Sequence, residues 1–219
     1  MCGRFGLDIR PDILSEHFGI ENPPVLTPRY NICPSQDAAC IMVHPESGER
    51  VVRKLRFGLV PHWADDLKVG YKMINARAET VREKPAFRGA FAKRRLIVPA
   101  SGFFEWQKLN GKQPWYYFKE NGEPLGLAGL WEHWSGGDGE TLFSFTIITV
   151  PANSLVEKVH ERMPAVLKPS DYTGWLSEAD PAAAHEMLAP YPPAEIAARP
   201  VSTRVNSPRN DDPSLIQGI

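Results

Sequence analysis

The sequence has little cysteine: three residues in 219, at Cys2, Cys33 and Cys40. That number is too small, and odd, for a disulfide framework. No Cys-x-x-Cys pair occurs, so the usual zinc pattern is missing, and nothing else asks for a metal or a cofactor. No apolar run approaches the ~20 residues that span a bilayer. The opening MCGRFGLDIR lacks the apolar centre of a signal peptide. There is no internal repeat and no low-complexity segment. Net charge is also nearly absent, at a formal -1. These absences exclude a disulfide-stapled secreted module and a membrane-spanning protein. They fit a monomer in a reducing cytoplasm, associated with the nucleoid if the source is bacterial.

The remaining composition is that of a folded chain. Apolar residues make up 42% and charged residues 23%, which rules out bulk disorder. The 21 prolines and 6 tryptophans favour a turn-rich β fold over a helical bundle. A chain this long buries a core without disulfides.

Residues 11–19 read as a helix, with Pro11 at its start and Gly19 as its stop. The Pro-rich stretch 22–36 reads as extended coil. Residues 38–44 and 51–60 read as a hairpin around PESGE. Residues 64–76 read as a polar loop, and 78–94 as two short helices split by Pro85. Strands follow over 95–99, 103–108, 114–119, 125–131 and 142–150, several separated by the turns LNGK, ENGEP and SGGDGE. A short helix is expected over 152–158, with peripheral helices in 166–176 and 181–188. The tail from 190 reads as loop with one strand near 200–205. No linker divides the chain. The expected fold is therefore one α+β domain over 1–219, an antiparallel sheet or barrel with short peripheral helices.

Charge is distributed unevenly. Residues 1–119 hold 19 Lys and Arg against 12 Asp and Glu, a net of +7, while 120–219 hold 6 against 14, a net of -8. Such a division makes one positive face, or cancels if the charges interleave in space. The densest basic stretch is 77–95, with seven basic residues (Arg77, Arg82, Lys84, Arg88, Lys93, Arg94, Arg95) against Glu79 and Glu83. Lys93, Arg94 and Arg95 read as a solvated helix end.

Position 2 carries the most chemistry. Initiator methionine is trimmed before a small residue, which makes Cys2 the mature N-terminus. An α-amine, titrating near ~7.7–8.0, then sits beside a thiol near ~8.5. A 1,2-aminothiol condenses with an aldehyde to a Schiff base, and its sulfur closes a five-membered thiazolidine ring. Gly3 allows close backbone approach, and Arg4 offers an anion contact. Three further polar residues stand in tight or apolar settings: Asn75 in MINARAET, Glu105 in SGFFEW and His160 in VHERMP. A carboxyl among aromatics has its charged form disfavoured, so its pKa rises toward a useful acid–base range. Glu105 also fits the solvent face of a strand, and His160 a structural histidine.

The blocks MCGRF, PRYNICPSQ, FGLVPHW, MINARAET, IVPASGFFEW and VHERMPAVL, with PVSTRVNSP near the end, resemble the SRAP family, the SOS-response-associated peptidase-like, abasic-site-processing proteins. The resemblance runs from residue 2 to about 206, leaving 207–219 as a tail. It implies a mature N-terminal cysteine that attacks the ring-opened aldehyde of an abasic site in single-stranded DNA. The product is a thiazolidine DNA–protein crosslink, with latent lyase and reversal activity. The family's active-site residues fall on Cys2, Asn75, Glu105 and His160. Glu105 would open the sugar ring and dehydrate the carbinolamine, His160 would assist proton transfer, and Asn75 would orient the amine or a sugar oxygen. Arg77 and Arg162 fall on phosphate contacts; Arg4 and Lys84 join them as expected DNA contacts. Trp63 either stacks on a base or belongs to the core. Ala64 stands where the family often has a second aromatic. The DNA partner would be single-stranded, including strands that meet a duplex end. Two alternatives stand beside this: a cysteine peptidase using Cys2 and His160, and a non-enzymatic single-stranded DNA-binding module.

Overall fold

The computed structural model describes residues 2–107, 112–136, 139–177 and 180–219. Thirteen strands carry these parts of the chain. They are β1 (Phe5–Leu7), β2 (Arg29–Ile32), β3 (Asp37–Val43), β4 (Arg50–Phe57), β5 (Asn75–Arg77), β6 (Arg95–Ala100) and β7 (Gly102–Gln107). The rest are β8 (Gln113–Phe118), β9 (Leu125–Ser135), β10 (Thr141–Pro151), β11 (Arg162–Pro164), β12 (Val166–Leu167) and β13 (Ala197–Pro200). The four α-helices are short: α1 (Pro11–Phe18), α2 (Pro85–Lys93), α3 (Tyr172–Leu176) and α4 (Pro181–Glu186).

The expected α+β class holds, and the sheet does close. β10, β4, β3, β6 and β9 pair in that order, and β9 pairs back to β10. These five strands form a barrel, antiparallel at every junction except β4–β10. Closure leaves no free edge in the ring. Ser144 to Val150 of β10 are all buried. A second antiparallel sheet runs β13-β8-β7-β1-β2. Beyond the barrel, β10 continues and takes β5 in parallel and β11 antiparallel.

The helices end where their sequences stop them. Gly19 takes a left-handed φ of 64° and its N–H caps α1 on Ser15 O at 2.9 Å. α2 starts at Pro85, where a missing N–H costs nothing.

Several local readings differ from the fold. Within the expected coil 22–36, Arg29–Ile32 form β2, because β1 supplies an edge. Within the expected loop 64–76, a 3₁₀ turn covers Leu67–Lys72 and Asn75 opens β5. The late strand lies at Ala197–Pro200, paired with β8. Pairing partners distant in sequence decided all three. The basic run 77–95 is not one solvated face: Arg95 is buried and donates to the carbonyls of Trp175, Phe91, Ala92 and Ser177, while Arg94 pairs with Glu132 at 2.8 Å. The two charge halves interleave in part, through Arg94–Glu132, Arg162–Glu79 and Arg29–Asp211. Most of the expected turn LNGK, and the centre of SGGDGE, fall outside the described residues.

Candidate active site

The N-terminal strand is held on every side. Arg4 O accepts from Phe104 N at 3.0 Å, and Gly6 O from Ser101 N at 2.9 Å, so β1 is zipped to β7. The Arg4 side chain turns to the tail, donating to Asn31 Oδ1 at 2.9 Å and to the carbonyls of Val205 and Asn206. Its guanidinium also lies 5.8 Å over the Trp106 ring. Asn31, fully buried, donates to the carbonyls of Val205, Ser207 and Asn210. Asp211 Oδ1 accepts from the backbone N–H of Tyr30 and Asn31. The segments PRYN and VSTRVNSP thus form one polar clasp around β1. Sequence reasoning missed Asn31 and Asp211, because an Asn in a Pro-rich stretch and an Asp in a tail give no signal alone.

The clasp delivers Cys2 to the junction of the two sheets, where its side chain is fully buried. Burial pushes the thiol pKa up, and the nearby Glu105 charge pushes it further. Asn75 Nδ2 donates to Cys2 O at 3.1 Å and to Ile147 O at 3.3 Å. Its Oδ1 is buried with no hydrogen-bond partner among the described residues. Met1, whose removal the sequence leads one to expect, lies outside the described residues.

Glu105 sits on the inward face of β7, only 2% exposed. Burial lifts its pKa from the ordinary 4.5 to about 7. The solvent-face alternative does not apply to it. On the same face lie Trp115, its direct cross-strand partner, and Tyr117, which pairs with Phe103 and stacks on it at 5.0 Å. Trp115 Nε1 and Tyr117 Oη are both buried donors without partners among the described residues. No local signal marks them, since aromatics in a strand read as core.

His160 lies in the turn before β11, and Gln107 Nε2 ties that turn to β7 through Lys158 O at 3.3 Å. Its Nδ1 lies 3.0 Å from the Arg162 N–H and 3.2 Å from the Arg162 carbonyl oxygen, so the residue after next holds the ring in place. Strands β5 and β11 flank the same end of β10: Asn75 pairs with Ile147, Arg77 with Thr149, and Arg162 with Pro151.

The expected DNA contacts separate into two groups. Arg77, Lys84 and Trp63 are exposed. Trp63 is 53% exposed, so it is not core. Its loop is pinned from behind by Trp134 Nε1 on Ala64 O at 2.6 Å and by Val60 N on Ser144 Oγ at 2.8 Å. Gly58, at φ +117°, lies so close to Gly70 that a Cβ would meet the Gly70 carbonyl oxygen at 2.6 Å. Arg4, by contrast, is engaged in the clasp. Arg162 is engaged with Glu79, Nη2 to Oε2 at 3.0 Å, and with Thr149 O at 2.6 Å. Cys33 and Cys40 are buried thiols facing backbone carbonyls.

This arrangement sets a buried thiol beside a buried carboxyl whose pKa lies near neutrality. The profile of the SOS response associated peptidase (SRAP) family matches residues 1–208. The abasic site processing protein YoqW of Bacillus subtilis (strain 168) is 41% identical, over 99% of both chains. The abasic site processing protein YoaM of the same strain is 40% identical over 99% of this chain and 97% of its own. A crystal structure of a protein from Bacteroides thetaiotaomicron superposes with a TM-score of 0.87 at 26% identity, covering all of both chains. No described helix is long and apolar enough to cross a membrane.

Proposed function

Because this chain belongs to the SOS response associated peptidase family, we propose that it processes abasic sites in DNA, with Cys2 as the covalent nucleophile. The observation that carries this is Cys2 bonded to Asn75 beside a buried carboxyl whose pKa is about 7. With Met1 removed, the Cys2 amine attacks C1′ of the ring-opened sugar aldehyde and forms a carbinolamine. Glu105 protonates the leaving hydroxyl, water departs, and a Schiff base remains. The Cys2 Sγ–H then adds across the C=N bond: sulfur bonds to C1′ and the proton reaches nitrogen through Glu105. The net loss is one water. Half-protonated at neutral pH, Glu105 serves as acid in the first step and as base in the second. Asn75 Oδ1, an unmatched acceptor, receives an amine or sugar hydroxyl proton. His160 assists proton transfer at a sugar or phosphate oxygen. Run backwards, the same transfers reverse the crosslink, and β-elimination from the Schiff base gives lyase activity.

Arg77, Lys84 and Trp63 offer phosphate and stacking contacts, suited to single-stranded DNA or a strand that meets a duplex end. Arg162 reaches a phosphate only by exchanging its Glu79 partner. Single-stranded substrate avoids the few kcal/mol of extruding a paired nucleotide. A hydrolytic cysteine peptidase needs a ready thiolate, and burial here holds the thiol protonated.

The test is intact-mass spectrometry after incubation with abasic and intact oligonucleotides. An adduct of protein plus abasic DNA less one water, lost in Cys2→Ala and kept in Cys33→Ala and Cys40→Ala, is the expected result. Full crosslinking by Cys2→Ala would overturn the reading, and peptide hydrolysis without adduct would favour the peptidase.

A further inference from the structure

A second concavity lies apart from Cys2. A trough of about 670 Å³ opens at the far end of the barrel, lined by parts of β3, β4, β9, β10 and the end of α3. Its floor is apolar, with Met42, Leu55, Leu176 and Trp131. Phe143 stands at its side, 47% exposed, its ring 5.9 Å from Trp131. Its ring also lies 4.8 Å from that of His133.

The trough is not an arm of the site described above. Along one face of β10 come Phe143, then Phe145 stacked on Phe57 at 5.0 Å, then Ile147, which pairs with Asn75. Four residues of strand, about 13 Å at ~3.3 Å each, and a buried aromatic pair separate the two. The loop bearing Trp63 packs on the opposite face of the β9–β10 hairpin, through Ser144 and Trp134.

Charge names the occupant. The lining includes Arg53, Lys54, Lys93 and Arg95 and, among the described residues, no carboxylate. Arg53, Lys54 and Lys93 are exposed, and none forms an ion pair among the described residues. Arg95, at the floor, spends its donors on backbone carbonyls. The floor therefore has cations at its rim and few polar partners within. A nucleobase placed there would bury ring nitrogens and oxygens without hydrogen bonds, which is unfavourable. A hydrocarbon side chain has no such requirement.

We propose that this trough docks an acidic peptide segment of another protein, with an aromatic anchor against Trp131 and Phe143 and carboxylates along Arg53, Lys54 and Lys93. The footprint is small, so the contact is weak and salt-sensitive.

The test is fluorescence anisotropy with a labelled peptide, a run of aspartates ending in Gly-Phe, titrated with the full chain. Saturable binding is expected. It should weaken about tenfold in Phe143→Ala and again in Lys54→Glu with Lys93→Glu, and fade with added salt. These side chains are exposed, so the variants keep the fold. Their crosslinking to abasic DNA should stay at the wild-type rate, which separates this inference from the proposed reaction. Peptides with Ala for the Phe, or Lys for the Asp, should fail to compete. No binding, equal competition by either control, or displacement by oligothymidylate would each overturn the proposal, the last by making the trough a nucleic-acid groove.

Discussion

Replacing Glu105 by Gln keeps the side-chain shape and removes one titration. In the folded protein burial holds this carboxyl at about 7, against an ordinary 4.5. A raised carboxyl pKa means the folded state keeps its proton where the unfolded chain has lost it. Its contribution to stability is therefore intact below pH 4.5 and is lost as pH rises toward about 7. The slope is about 1.4 kcal/mol per pH unit while the two states differ by one proton. Across the interval from 4.5 to about 7 that amounts to roughly 3 kcal/mol. Glu79 and Asp212, whose pKa values are lowered by Arg162 and by Ser214 respectively, titrate in the opposite sense. Both remain in Glu105→Gln, so they cancel in the comparison. Urea unfolding from roughly pH 5 to pH 8 should show wild type losing stability relative to Glu105→Gln by most of that amount. The same substitution should remove the limb near neutral pH from the crosslinking pH–rate profile. Parallel stability curves for the two proteins would refute the reasoning, since they would mean that Glu105 titrates like an exposed carboxyl.

Tyr117→Phe removes a buried hydroxyl that has no partner among the described residues. Stability should stay within about 1 kcal/mol of wild type, while single-turnover crosslinking should slow about tenfold if the hydroxyl meets the sugar; equal rates would exclude that contact. Gly58→Ala places a methyl 2.6 Å from the Gly70 carbonyl oxygen at φ +117°. It should cost about 1–3 kcal/mol in urea unfolding and weaken DNA binding through the displaced Trp63 loop. Arg77→Ala should reduce affinity for intact and abasic single strands alike and lower the salt slope by about one. Glu79→Gln, by freeing Arg162, should tighten binding at low salt, as read by titration with a fluorescent single strand.

What the sequence alone determined lies where one residue type carries its own chemistry or its own backbone preference. The role proposed for Cys2 is legible because an aminothiol needs only a cysteine placed next to a methionine expected to be trimmed. The stop of α1 is legible because Gly19 pays nothing for a left-handed φ, and the strands of the β6–β10 run because alternation and turn residues are local signals. Burial is not local. Glu105 carries the same atoms on a solvent face or an inward one, and only the packing of β7 against β1 and β8 lifts its pKa. Arg4, Arg95 and Arg162 read alike as free cations. The fold gives the first to a polar clasp, the second to backbone carbonyls and the third to Glu79, through partners that include Val205, Trp175, Ser177 and Glu79, each 80 or more residues away. Trp63 was open between core and surface until a pinned loop held its backbone and left its ring out. Barrel closure, too, depends on β9 meeting β10 and β4 running parallel to it, pairings that no stretch of sequence specifies by itself, because strand propensity describes a residue and register describes two.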